Sequence, residues 1–188
     1  MTTTAFADDT ATLNHHFSEA LTRGLARRGV LLVVTADDQK LHVVATNGLL
    51  KTFTVSTGKA GLGNKEGSGK TPLGWHVIEE RIGGDEPPGR VFIRRRPTTE
   101  RLTPDQWRNP DSGDYILTHI LTLRGLEKGI NSGKGIDSVS RGIYLHGTNQ
   151  EHLLGTPASH GCIRLSNRDI MELFDIVRDR SAYCLILK

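Results

Sequence analysis

Several things are scarce in this sequence, and each shortage excludes something. Aromatic residues make up 5% of its 188 residues. They are not interleaved with basic residues, so no stacking surface for single-stranded nucleic acid is written into the chain, and nucleic acid is not an expected partner. There are only two cysteines, Cys162 and Cys184. They can form at most one bridge, which excludes a disulfide framework and makes a reducing compartment the simpler reading. Long apolar runs are absent. The longest unbroken aliphatic run covers residues 30–34, whereas a membrane-spanning helix needs about 20 residues. Residues 1–9 hold no lysine or arginine, carry Asp8 and Asp9 and lead into no apolar stretch. That pattern excludes an ordinary secretory signal and sets the expectation of a cytoplasmic protein. Charge of one sign is scarce as well: 24 Lys and Arg against 21 Asp and Glu leave +3. The one basic cluster, Arg94-Arg95-Arg96, reads as a solvated strand end.

What remains is the material of one soluble domain. Hydrophobic residues are 36% and charged residues 24%, enough apolar mass for a core. Leu13, Phe17, Leu21 and Leu25 recur every four residues beside Ala20, which predicts an accessory helix of about 16 residues that ends at Gly29. Residues 1–29 are set apart on that basis, and residues 30–188 form the main domain. Strands are predicted at residues 30–35, 41–45 and 49–56, with Asp37-Asp38 and Asn47-Gly48 as turns. Further strands are expected at residues 75–80, 91–95, 115–123, 143–145 and 183–187, with a short helical turn at residues 103–107. Ser166, with Asp169 three residues on, starts a helix whose buried face is Ile170, Leu173, Phe174 and Val177. Seven or eight short strands with two helices predict a mainly β fold, a sandwich or barrel. Two long glycine-rich loops, at residues 57–74 and 125–141, point to a cleft built on it. The first is no phosphate-binding loop, because Asn64 stands where a glycine is needed and Pro72 where the helix would begin.

The informative segments are His146-Gly147-Thr148 and Ser159-His160-Gly161-Cys162-Ile163-Arg164-Leu165. A thiol is a good nucleophile as thiolate, and imidazole is the side chain suited to take its proton near neutral pH. If residues 159–162 form a turn, as Gly161 suggests, the side chains of His160 and Cys162 diverge. His146, at the end of a separate strand, then approaches the thiol across the cleft. This favours His146 as general base and leaves His160 a structural role on the oxyanion side. An extended segment would reverse the two. The N–H groups of Gly161 and Cys162 are candidates for an oxyanion hole, and glycine at 161 allows a substrate carbonyl close to the backbone. Arg164 could grip a substrate carboxylate with its planar fork, or be a surface arginine. Tyr144 and Ser159 complete the candidate substrate-binding set. A buried structural cysteine is the bland alternative. Zinc is disfavoured, since only two or three ligands come together.

The two segments together resemble the signature of the L,D-transpeptidase (YkuD) catalytic domain. Phe53-Thr54-Val55-Ser56-Thr57-Gly58-Lys59 and Lys70-Thr71-Pro72-Leu73-Gly74 are similar to other blocks of that family, and the likeness covers roughly residues 30–188. The resemblance implies a mainly β fold, no metal or other cofactor, and a cysteine acyl-enzyme acting on peptidoglycan stem peptides at the bond between a diamino acid and a terminal D-Ala. It implies Cys162 as nucleophile, His146 as base and the Gly147 carbonyl as the group orienting that base. Arg164 stands where many members have asparagine, and the interval from His146 to Ser159 is short. With no export signal read, the expectation is a cytoplasmic L,D-carboxypeptidase trimming muropeptides in recycling. An exported cross-linking transpeptidase is the alternative, and a catalytically silent wall-peptide binding module is a third.

Overall fold

The run from Val30 to Val34 is apolar at every position because both faces of its strand are covered. The computed structural model describes residues 10–108 and 113–188. In it, β1 (Val30–Thr35) is buried along its whole length. Val30, Leu32 and Val34 enter the main core, while Leu31 and Val33 face outward to a helix. That helix, α1 (Thr10–Thr22), lays Leu13, Phe17 and Ala20 on the outer cluster with Val44, Trp75 and Leu185. The helix is shorter than its apolar spacing predicts. It ends at Thr22, because Gly24 turns the chain with φ at +103°. Leu21 is left 37% exposed, and Leu25 reaches the same cluster from the following loop. Residues 1–9, on which the reading of a missing export signal rests, lie outside the described residues.

The described residues contain ten strands in one mixed sheet. After β1 come β2 (Lys40–Ala45), β3 (Gly48–Thr54), β4 (Gly74–Ile82), β5 (Arg90–Ile93), β6 (Arg96–Arg101) and β7 (Ile116–Gly125). Then follow β8 (Tyr144–Thr148), β9 (Ile163–Leu165), α2 (Asn167–Val177) and β10 (Ala182–Leu187). The order β3-β2-β1-β10-β4-β7 forms the body. One edge of β7 carries β4 and the β5–β6 hairpin, and the other carries β8, which pairs in parallel with β9. The circuit then returns on itself. Ser56, just past β3, exchanges two backbone hydrogen bonds of 2.9 Å with Arg164 of β9. The mainly β expectation therefore resolves to a barrel-like circuit. The buried face of α2, Ile170, Leu173, Phe174 and Val177, packs into the main core. Ser166 caps this helix by accepting the Asp169 N–H at 3.0 Å, as its sequence predicts.

Two strands escape the sequence reading. β6 is exposed at all but one position and has no apolar alternation, and its hairpin turn is made by Arg94 and Arg95 at φ of 50° and 67° rather than by glycine or asparagine. Arg94-Arg95-Arg96 is thus an exposed hairpin turn entering a further strand, not a strand end. β9 has three residues and owes its ladder to partners distant in sequence, β8 on one side and Ser56 on the other.

Candidate active site

The site is built where β7, β8 and β9 meet. β7 carries a bulge: its register with β8 slips between Leu117 and Ile120, opposite the His146–Gly147 step. Thr118, inside the bulge, sits at φ of +70°, a costly conformation for a β-branched residue. Its hydroxyl is tied to Asn167 Oδ1 at 2.5 Å and to the Gly89 N–H at 3.0 Å. Bulges are common beside functional sites, and this one lies directly opposite His146. Its Nδ1 lies 2.8 Å from the Gly147 carbonyl oxygen. A carbonyl can only accept, so the imidazole carries its proton on Nδ1 and presents Nε2 as acceptor. Gly147 can be nothing larger, because a Cβ there would meet Asn167 Oδ1 at 2.6 Å and the Leu117 carbonyl at 2.8 Å.

Cys162 is held on a turn just before β9. Ser159 staples that turn, its hydroxyl donating to the Cys162 carbonyl at 2.5 Å and accepting the Gly161 N–H at 3.1 Å. Thr71 secures it from the first glycine-rich loop, donating to the Gly161 carbonyl at 2.9 Å while accepting the Gly58 N–H at 2.8 Å. The second loop is anchored through Asn131, which donates to the carbonyls of Leu73 and Trp75. Arg141, at its end, donates to the carbonyls of Gly63 and Lys70 and so joins the two loops. The Cys162 Sγ donates to the Gly142 carbonyl at 3.3 Å, as a thiol and not a thiolate must. His146 and Cys162 line one cleft of about 200 Å3, together with Asp114, Ile116, His160 and Arg164.

Burial sets the charge state. His146 is 3% exposed, and loss of hydration drives its pKa down to about 4 against the help of Gly147. Cys162 is half-buried, and its surroundings push the thiol up to about 11, against the Tyr144 backbone hydrogen bond and the charges of Arg164 and Arg141. At rest the pair is therefore neutral. The two groups line the same cleft, with the thiol hydrogen of Cys162 on the Gly142 carbonyl and not on His146 Nε2.

Three assignments change. Arg164 is 2% exposed, and its fork is engaged inside the protein, by Asp114 Oδ2 at 2.5 Å and Gln150 Oε1 at 2.8 Å. It holds an internal carboxylate, not a free fork waiting for one from the substrate. The Gly161 N–H is taken by Ser159, so of the two proposed oxyanion donors the Cys162 N–H is the one without a partner among the described residues. The missing Cβ of Gly161 faces the Lys70 carbonyl at 3.1 Å and Ile143 at 3.4 Å. This glycine therefore serves packing and a φ of +123° and not the approach of a substrate. The His160 side chain is 88% exposed at the cleft mouth, with Nδ1 at 3.1 Å from Asp114 Oδ2. Tyr144 meets the sulfur through its backbone N–H. Among the described residues no group of three or more His, Cys, Asp or Glu could hold a metal ion.

Against this geometry, the family model described as the L,D-transpeptidase catalytic domain (YkuD) matches residues 28–183. The chain belongs to the L,D-transpeptidase catalytic domain family. Its members are cysteine-dependent enzymes that act on peptidoglycan. Solved L,D-transpeptidases share the fold. That from Mycobacterium smegmatis is 16% identical, with 85% of this chain and 59% of that chain covered and a TM-score of 0.50. L,D-transpeptidase 3 from Mycobacterium tuberculosis is 15% identical, with 85% and 61% covered and a TM-score of 0.51. This chain thus spans about three fifths of the length of those structures. No curated protein matches it. Within this L,D-transpeptidase domain, Asp114 and Gln150 are the site residues that the sequence reading missed. Asp114 closes a polar run that reads as an ordinary solvated turn, and nothing in its surroundings marks it.

Proposed function

We propose that this domain cleaves the L,D bond before the terminal D-Ala of peptidoglycan stem tetrapeptides through a thioester on Cys162, with water as the acyl acceptor. The observation that carries the reading is the shared cleft: an imidazole with its Nδ1–H locked on the Gly147 carbonyl, and a thiol on a stapled turn. In the first step Cys162 Sγ attacks the carbonyl carbon of the third residue, and the thiol proton passes to His146 Nε2. The Cys162 N–H faces the developing oxyanion. The C–N bond then breaks, the imidazolium returns its proton to the D-Ala amine, and D-Ala leaves. In the second step water attacks the thioester and gives a proton to Nε2. The C–S bond breaks, and the sulfur recovers the proton. Water as acceptor is supported by size. A cleft of about 200 Å3 lies below the ~300–1,000 Å3 of ordinary ligand pockets, which suits one peptide tail better than two.

The test is incubation with a disaccharide-tetrapeptide followed by mass spectrometry. Free D-Ala with tripeptide is the expected result. A cross-linked dimer would make the domain a transpeptidase, and retained binding without product would make it a binding module. Two controls accompany it. EDTA leaves turnover unchanged, and a carbapenem adds its own mass to Cys162.

A further inference from the structure

Among the described residues Asp114 is the one acidic residue lining the cleft, and its setting is built rather than incidental. The Arg164 guanidinium behind it is buried, held from its other branch by Gln150. His160 takes hold of the same carboxylate from the cleft mouth. Both contacts fall on Oδ2. A carboxylate has about four acceptor sites on two oxygens, and Oδ1 makes no hydrogen bond to the described residues, which leaves it for a ligand. Neutralising a buried arginine requires only a buried acid, yet the Asp114 side chain is 32% exposed and forms the wall of the cleft. A carboxylate fixed in this way has already lost the freedom that binding would otherwise cost it.

We infer that Asp114 is a specificity-determining residue that binds a side-chain ammonium on the substrate residue whose carbonyl is attacked. The inference rests on the reading above, in which that residue becomes the acyl group on Cys162. Its side chain branches from the Cα bonded to the attacked carbon, which brings it within reach of the wall of the cleft that holds the sulfur. A fixed acid there gives a hydrogen-bond and charge partner to a cationic group, and in a muropeptide, whose L-Ala nitrogen is in an amide, the third residue's side chain supplies that group. Arg164 and His160 then act as positioning residues, and Asp114 selects stems whose third residue carries a free amine.

Two tetrapeptides decide it: N-acetyl-L-Ala-γ-D-Glu-L-Lys-D-Ala, in which the lysine carries the one ammonium, and its twin with the lysine Nε acetylated as well. Both keep the scissile bond. A hydrogen bond to a charged group contributes enough that acetylation lowers kcat/KM about ten- to a hundredfold for the wild type. In Asp114→Asn the gap closes to about threefold or less, whereas Asp114→Glu keeps most of it. Asp114→Ser replaces Asp114→Asn if the latter fails to fold. The same pair is titrated calorimetrically onto Cys162→Ala, whose affinity for the acetylated twin should be weaker by a similar factor. Equal handling of the two peptides by the wild type, or a gap that survives in Asp114→Asn, overturns the inference. Absence of D-Ala release from both peptides overturns the proposed function instead, and the calorimetric pair then decides the role of Asp114.

Discussion

The neutral resting state of the Cys162–His146 pair has a measurable consequence. With the thiol pushed up to about 11 and the imidazole held down at about 4 by burial, moving the proton before attack is opposed from both sides. A standing thiolate–imidazolium pair is then negligibly populated. At pH 7.5 a thiol at about 11 is ionised to about three parts in ten thousand, against roughly one part in ten for an ordinary cysteine near 8.5. The deficit is about 300-fold. The more basic thiolate recovers roughly tenfold of this through its greater nucleophilicity. Iodoacetamide should therefore alkylate Cys162 about 20- to 40-fold more slowly than a free cysteine, with a rate that climbs close to tenfold per pH unit from 7 to 10. The assay is the intact mass over time, with peptide mapping to separate Cys162 from Cys184, which is fully buried and pushed higher still. A fast rate that stays flat between pH 6 and 8 would mean that the pair is already ionised and that the charge assignment is wrong.

Other outcomes follow from the same structure. His146→Gln keeps an amide able to meet the Gly147 carbonyl but removes the proton acceptor, so kcat should fall by about 100-fold or more with folding intact by circular dichroism; near-normal turnover would move the base elsewhere. Ser159→Ala removes both hydrogen bonds of the turn that carries Cys162, and should cost about 1–3 kcal/mol in urea unfolding together with about a hundredfold in kcat. His146 and His76 are both held near 4 by burial, below the unfolded value of about 6.5, so the unfolded chain binds more protons between those limits. Stability is full above about pH 6.5 and is lost as pH falls toward 4, by about 2 kcal/mol per histidine at pH 5; a urea midpoint equal at pH 7.5 and 5.0 would contradict this. Phe17→Ala in α1 should cost about 3 kcal/mol, and a near-zero loss would mean that the helix does not dock on the outer face in solution.

Where one residue's chemistry decides the local structure, the fold was legible in the sequence. Asn47-Gly48 marks the β2–β3 turn, the apolar run marks the doubly covered β1, and Ser166 with Asp169 marks the start of α2. Illegible parts depend on a partner distant in sequence. β6 is a strand because β5 offers it a ladder, and its turn uses two arginines at positive φ, against their intrinsic preference. The end of α1 is the opposite case: Leu25 keeps the apolar spacing and even the burial, but Gly24 has already broken the helix. Periodicity reports which residues are covered, not whether the chain between them is helical.

The site divides along the same line. Cys162 and His146 are legible as types, because a thiol and an imidazole are what this chemistry calls for; Gly147 is legible for its carbonyl through the family resemblance alone, and Ser159, expected to bind substrate, staples the turn instead. Arg164 could not be read this way. In sequence it is a fork of donors two residues past a reactive thiol, and a substrate carboxylate is the natural partner to expect. The partner it has is Asp114, 50 residues away. Pairing buried Arg164 with a fixed acid converts a cationic wall into one that presents a carboxylate to the cleft. The sign of the group that the site favours therefore depends on a contact that no local motif contains.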